Sequence, residues 1–180
     1  MSVTILEIQQ NSDEWLKARE GLVTGSNADN LLTRGLDEAL KLNYSRFRGN
    51  FYTKRGHILE DQALIIYEAV HGVTVNRVGL VTNDKYPNAG CSPDGVAGDW
   101  LLEVKAFNER KHNEIVDVKT IPFKIMAQLQ FNMMITELKK ARLIMYNPDI
   151  EDHDAAYREI EVKAIPKIQL NMARKLRNEL

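Results

Sequence analysis

The chain of 180 residues contains a single cysteine, Cys91. An internal disulfide is therefore excluded, and the composition suits a reducing compartment such as the cytoplasm. Zinc is not expected, because neither further Cys nor paired His accompanies Cys91. No apolar run approaches transmembrane length and no signal-peptide pattern opens the sequence, so no membrane association is expected. Internal repeats and low-complexity tracts are also missing. Charge of one sign is not in excess either: 24 Lys and Arg stand against 25 Asp and Glu, a formal net charge of −1. A uniformly basic, polyanion-coating protein is thus excluded, although a local basic groove is not. What is present is ordinary for a globular protein, with 44% hydrophobic and 27% charged residues, and the length suits one domain spanning 1–180.

The most informative stretch runs from Cys91 to Lys105. Gly98-Asp99 is a two-residue turn signal with Gly at the first central position, as a type II′ turn prefers. Counting outward, Ala97 faces Trp100, Val96 faces Leu101, Gly95 faces Leu102 and Asp94 faces Glu103. Strand side chains alternate, so Glu103 and Lys105 share a face while Leu102 and Val104 point the other way. Carboxylates directly opposite each other repel, so a cation is expected between Asp94 and Glu103. Lys105 is one candidate, and a hard divalent metal with oxygen ligands is another. Two carboxylates, a metal and a lysine suit phosphate-ester hydrolysis. The plainer reading is an Asp-Gly turn beside a half-solvated strand.

Elsewhere the pattern predicts a mixed α/β fold. Val3–Ile8 reads as a strand, and Ser12 as the N-cap of a helix to about Glu20 that places Trp15 and Arg19 on one face. Gly21 fits its stop, and Ser26 reads as the next N-cap, with Asp29 three residues on. Such a helix start attracts phosphate, and Arg19 offers a charged fork beside it. The alternative is that Ser26 merely caps and Arg19 is a surface charge. A helix is expected from about Asp37. Lys41, Arg46, Arg48, Lys54, Arg55 and His57 are interleaved with Tyr44, Phe47, Phe51 and Tyr52. This suits phosphate contact and base stacking, or a solvated face with its aromatics turned inward.

Thr53–His71 has helical spacing, with Glu60 at the edge of the buried stripe. Arg77–Thr82 reads as a strand, followed by a turn in which Asp84 is a second candidate acid. Glu109–Thr120 lacks a clear period and reads as a mobile loop, with Lys111 and His112 as candidate nucleic-acid contacts. Pro122 starts a helix to about Leu138 with Met126, Leu129, Met133 and Met134 on its apolar face and Gln128 off it. Arg142–Tyr146 and Ala156–Lys163 read as strands, and a last helix begins near Pro166. The order implies a mixed central sheet flanked by helices.

Ser92-Pro-Asp94-Gly followed by Leu102-Glu103-Val104-Lys105 resembles the PD-(D/E)XK nuclease signature, in the form carried by lambda-exonuclease-like viral recombinases, the phage alkaline exonucleases. Three further blocks are similar to that family, in order: Trp15-x-x-x-Arg19-x-Gly21…Thr24-Gly25-Ser26, Gly56-x-x-x-Glu60, and Gln128-x-Gln130. The resemblance implies a restriction-endonuclease-like core and an Mg²⁺-dependent exonuclease, with Mn²⁺ as a substitute. The substrate would be linear double-stranded DNA, one strand degraded 5′→3′ to leave a 3′ single-stranded tail. It further implies a trimeric ring and a single-strand annealing recombinase as partner; residues 41–57, by their basic content, are the candidate lining of such a ring. By motif position Asp94, Glu103 and the Val104 carbonyl hold metal, Lys105 positions or activates water, and Glu60 is an extra carboxylate. Arg19, Ser26 and Gln128 hold the 5′-phosphate, and Trp15, Arg46, Arg48, Lys54 and Arg55 contact DNA. An endonuclease or single-strand nuclease on the same core is the alternative, as is a non-catalytic DNA-binding or recombinase-docking module. The joint presence of Glu60, Asp94, Glu103 and Lys105 argues against the last.

Overall fold

Pro93 and Asp94 interrupt what would otherwise be one continuous strand, and around that break the chain builds two sheets. The computed structural model describes residues 2–41, 51–118 and 120–178. Its strands are β1 (Val3–Leu6), β2 (Val23–Thr24), β3 (Leu80–Asn83), β4 (Ala89–Cys91), β5 (Gly95–Ala97), β6 (Trp100–Lys105), β7 (Lys140–Tyr146) and β8 (Tyr157–Lys163). Its α-helices are α1 (Asp13–Ala18), α2 (Ala28–Arg34), α3 (Leu36–Lys41), α4 (Phe51–His71), α5 (Glu109–Val118), α6 (Phe123–Thr136), α7 (His153–Ala156) and α8 (Pro166–Leu176). One four-stranded sheet has the order β1-β3-β4-β2 and the other β5-β6-β7-β8. Both are mixed: β2–β4 and β6–β7 are parallel and the other pairs antiparallel. The expected mixed sheet flanked by helices is thus realised as two mixed sheets. The division has a local cause. Pro93 has no N–H to give a ladder, and the Asp94 side chain accepts the Val104 N–H at 2.6 Å in place of a backbone partner.

The hairpin has the register counted from its turn, Ala97 opposite Trp100 and Gly95 opposite Leu102. Gly98 has φ +59° while Asp99 does not enter the positive region, the combination of a II′ turn. Ser12 caps α1 by accepting the Trp15 N–H, and Gly21 with φ +74° ends that unit.

Helix α6 is the hinge between the sheets because it is apolar on two sides. Ala127, Phe131, Met134 and Ile135 pack toward the first sheet with Val23, Val81 and Cys91. Ile125, Leu129 and Met133 pack toward the second with Leu101, Leu143 and Val162. Gln128 and Asn132, four residues apart, occupy a remaining side. Helix α4 covers the other face of the second sheet, with Ala63, Leu64 and Tyr67 against Leu102, Val104 and Ile144. Among the described residues no helix is long and apolar enough to cross a membrane.

Two local expectations are corrected. Ser26 does not cap α2; it sits inside a 3₁₀ turn, Gly25–Asn27, with its hydroxyl 3.0 Å from that of Thr24. Glu109–Thr120 is not a loop, for α5 occupies most of it. Its buried side is half polar, His112 beside Ile115, which hides the period from a hydropathy reading. His112 is fully buried and its Nε2 lies 2.8 Å from the Ala155 carbonyl, while Lys111 pairs with Glu114.

Candidate active site

Strand β6 carries Glu103 inward and Lys105 beside it, two residues on and on the same face. Lys105 Nζ donates to Glu103 Oε1 at 2.6 Å, and Glu103 is 1% exposed. Asp94 stands at the start of β5, and Glu60 projects from α4 beside Asp94 into one cleft of about 780 Å³. The charges do not balance. Burial, then Glu103 and Glu60, push the Asp94 carboxyl well above the ordinary range, against Lys105 and the Val104 N–H. Burial likewise raises Glu60, with Glu103 and Asp61 adding while His57 and Arg77 oppose. Burial alone would lower Lys105, but Glu103 and Asp94 outweigh it, so its ammonium is held protonated.

Behind Glu103 lies a second, smaller recess of about 110 Å³, lined by Arg19, Gly25, Ser26, Gln128, Asn132 and Trp15 among others. Arg19 lies 3.8 Å over the Trp15 ring. Burial lowers its pKa to about 10, so it remains cationic at neutral pH. The Trp15 indole N–H donates to Ser92 Oγ at 2.9 Å and to the Gly79 carbonyl at 3.3 Å, which fixes the ring under the guanidinium. Two amides of the recess lining hold Glu103: Gln128 Nε2 donates to Glu103 Oε1 at 2.5 Å and Asn132 Nδ2 to Oε2 at 3.3 Å. Carboxylates predominate around the cleft, Arg19 supplies the charge of the recess, and Gln10 lines both.

Residues 14–139 match the YqaJ-like viral recombinase domain. The chain belongs to this family. No curated protein is detectably similar in sequence. Among solved structures, the fold is similar to an alkaline exonuclease, LHK-Exo, from Laribacter hongkongensis. The TM-score is 0.79 at 26% identity, over 93% of this chain and 92% of that one. The same figures hold for LHK-Exo in complex with dAMP. A phage-related exonuclease from Haemophilus somnus 129PT shares the fold, with a TM-score of 0.62 at 10% identity over 90% of this chain and 93% of that one. The fold and the family are those of an exonuclease.

Within this family member, the expected site residues separate into three groups. Asp94, Glu103, Lys105 and Glu60 form one interacting group: Asp94 and Glu60 line the cleft, Lys105 donates to Glu103, and Val104, between that pair on β6, gives its N–H to Asp94. Arg19, Ser26 and Gln128 come together around the recess. Of the expected DNA contacts, two are among the described residues. Trp15 is 7% exposed with Arg19 over it, so it supports the guanidinium and has no free face for a base. Arg55 is engaged with Asp149. Arg46, Arg48, the Lys54 side chain and most of the 41–57 lining lie outside the described residues. Asp84, the second candidate acid, binds the Ser2 N–H and hydroxyl at the surface, away from the cleft.

Sequence reading missed Asn132, Gln10 and Ser92. Asn132 was discoverable, since it follows Gln128 by one helical turn. Gln10 ties the α1 approach to the segment before Asp94 by donating to the Val78 and Pro93 carbonyls, a contact no spacing rule reveals. Cys91 is a core residue, its thiol kept protonated by burial and by Glu103.

Among the described residues no three His, Cys, Asp or Glu form a preassembled metal cage. The donor set nevertheless fits a hard divalent ion. Asp94 and Glu103 are oxygen donors in a cleft with more carboxylate than cation, and Mg²⁺ characteristically uses one or two carboxylates and keeps several waters.

Proposed function

We propose that this chain is an Mg²⁺-dependent 5′→3′ exonuclease of linear duplex DNA, leaving a 3′ single-stranded tail for recombination. The observation that carries this reading is that Gln128 of the recess donates to Glu103, which interacts with Asp94 and Glu60 of the cleft, while Gln10 lines both cavities. An enzyme that works from an end needs a stop for the terminal phosphate beside the scissile bond. A recess of about 110 Å³ with a buried guanidinium suits a phosphate and excludes a base.

In this reading Asp94, Glu103 and the Val104 carbonyl hold the divalent ion, Mg²⁺ with Mn²⁺ as a substitute. When bound, the ion supplies Lewis acidity to the phosphate and lowers the pKa of water. Lys105, a donor only, orients the attacking water and faces the negative charge that grows on the phosphate oxygens. Glu60 adds a carboxylate at the cleft wall. Water oxygen bonds to phosphorus, the P–O3′ bond breaks, and the departing 3′ oxygen takes up a proton. Arg19, Ser26 and Gln128 hold the 5′-phosphate, with Trp15 as the platform for Arg19.

The single functional domain over 1–180, a cytoplasmic setting, a homotrimeric ring and an annealing recombinase as partner belong to the same proposal. Light scattering tests the ring. The activity test is digestion of 5′-phosphorylated linear duplex and closed circular DNA with Mg²⁺ or EDTA. Loss of the linear form alone, and only with Mg²⁺, is expected. Cleavage of the circle would indicate an endonuclease instead.

A further inference from the structure

Glu103 Oε1 accepts two hydrogen bonds, from Lys105 Nζ at 2.6 Å and Gln128 Nε2 at 2.5 Å. A carboxylate oxygen has about two acceptor sites, so this one is fully engaged and a cation at Oε1 must displace a donor. The two donors are not equally displaceable. Lys105 is fixed by β6 and attracted by both carboxylates. Gln128 is half-buried, neutral, and already borders the recess that holds Arg19 and Ser26.

We infer that Gln128 is a donor shared between Glu103 and the recess: a terminal phosphate entering the recess draws the Gln128 amide off Oε1 and so opens Glu103 to a divalent cation. The inference rests on the function proposed above and deepens it, because it orders the two binding events. The enzyme is primed for the metal only where an end is seated.

Glu103 must not swing away when Gln128 leaves, and the neighbouring turn of α6 provides for this. Asn132 is 1% exposed and donates to the second oxygen, Oε2. Its amide orientation is set by that carboxylate, since the flipped amide would put oxygen against oxygen. The Asn132 Oδ1 consequently faces Gly25 without a hydrogen-bond partner among the described residues, at the point where a Cβ on residue 25 would stand 2.2 Å away. A buried acceptor left unpaired is costly. The holding contact to Glu103 is kept in spite of it. Asn132 is thus a positioning residue, acting through Glu103.

Linkage makes the coupling reciprocal: if a seated phosphate strengthens metal binding, metal strengthens phosphate binding by the same factor. The test measures Mn²⁺ affinity by electron paramagnetic resonance on the full chain. Short duplexes blocked by a phosphorothioate at the terminal linkage are added, carrying either a 5′-phosphate or a 5′-hydroxyl. With the wild type, Mn²⁺ is expected to bind about tenfold more tightly with the phosphorylated than with the hydroxyl end. Gln128→Met keeps the side-chain length and removes the donor. It is expected to bind Mn²⁺ more tightly than the wild type without DNA, and to lose most of the coupling. Direct attraction between phosphate and cation does not predict the tighter Mn²⁺ binding of the DNA-free variant. Equal coupling in Gln128→Met and wild type, or weaker Mn²⁺ binding by the DNA-free variant, overturns the inference. Gln128→Ala repeats the comparison if the methionine variant melts early. If Mn²⁺ binding does not depend on Asp94, or the two ends bind alike, the proposed function fails with it. If both bind as proposed but independently, only the shared donor fails.

Discussion

Two polar clusters lie on opposite faces of the same sheet, and they handle charge in opposite ways. On the face toward α4, Glu159 accepts from Arg142 NH1 at 2.8 Å and from the Tyr157 hydroxyl at 2.7 Å, with His71 Nε2 at 2.9 Å. Arg142 also reaches Glu161 at 3.2 Å and lies 4.4 Å over the Trp100 ring. Both carboxylates there share the Arg142 guanidinium directly. Around Glu103, Lys105 serves both Glu103 and Asp94 while Glu60 faces Arg77 and His57, and burial together with Glu103 and Glu60 drives the Asp94 carboxyl well up. Similar residue types one strand apart thus give a brace whose carboxylates each touch a guanidinium, and a group in which buried Asp94 has no direct ion pair among the described residues. That unpaired carboxylate is what the proposed metal ion would offset. The brace needs nothing more.

The comparison breaks most sharply at the site. Lys105→Ala is expected to fold and bind duplex DNA yet lose on the order of 10²-fold or more in cleavage rate. Asp94→Asn is expected to lose at least as much rate while melting no lower than the wild type in EDTA, because it removes a repelling charge. Mg²⁺ should raise the wild-type melting temperature and leave that of Asp94→Asn unchanged. Near-normal cleavage by either variant, measured on linear duplex with melting curves alongside, would remove the distinction drawn here.

The brace should respond in reverse. Glu159→Gln leaves Arg142 without its main partner, and it is expected to cost about 1–3 kcal/mol of stability, read as a lower melting temperature, with cleavage per folded molecule unchanged. A rate loss larger than the folded-fraction loss would connect this face to the chemistry. A smaller effect is expected at the recess: Arg19→Ala should reduce the preference for a 5′-phosphoryl over a 5′-hydroxyl end by about tenfold, the scale of a charged hydrogen bond. If both ends slow equally, Arg19 is a general DNA contact.

The smallest effect concerns His112, which is buried outside both clusters. Burial first, with Arg158 adding and the Ala155 carbonyl opposing, holds its imidazole below the ordinary value of 6.5. The fold therefore refuses a proton that the unfolded chain accepts. Its contribution is fully present above pH 6.5 and is lost as pH falls through the window below that value. His112→Gln, which keeps a donor toward Ala155, is expected to flatten the acid side of the melting-temperature profile by roughly 1–2 °C. An unchanged acid slope would count against this account.

Much of the site was readable because its determinants are local. The Gly98-Asp99 turn sets the hairpin register, and the register sets which face Glu103 and Lys105 share. What stayed hidden depends on neighbours distant in sequence. Trp15 reads as a DNA contact on the face of Arg19, whereas in the structure Ser92 and Gly79 take its N–H and Arg19 covers its face. His112 reads as a loop histidine until Ala155 arrives to accept from it.

By itself the sequence determined the Ser12 cap, the Gly98-Asp99 hairpin with its register, and most of the longer helices and strands, since backbone preference and side-chain period act over a few residues. Only the tertiary structure decided that residues 15–26, 60, 94–105 and 128–132 would meet around one carboxylate. It also decided that Gln128 would spend its amide on Glu103. The physical reason is that hydrogen bonding and charge balance depend on which groups packing brings within about 3 Å, and no periodicity in the chain encodes that distance.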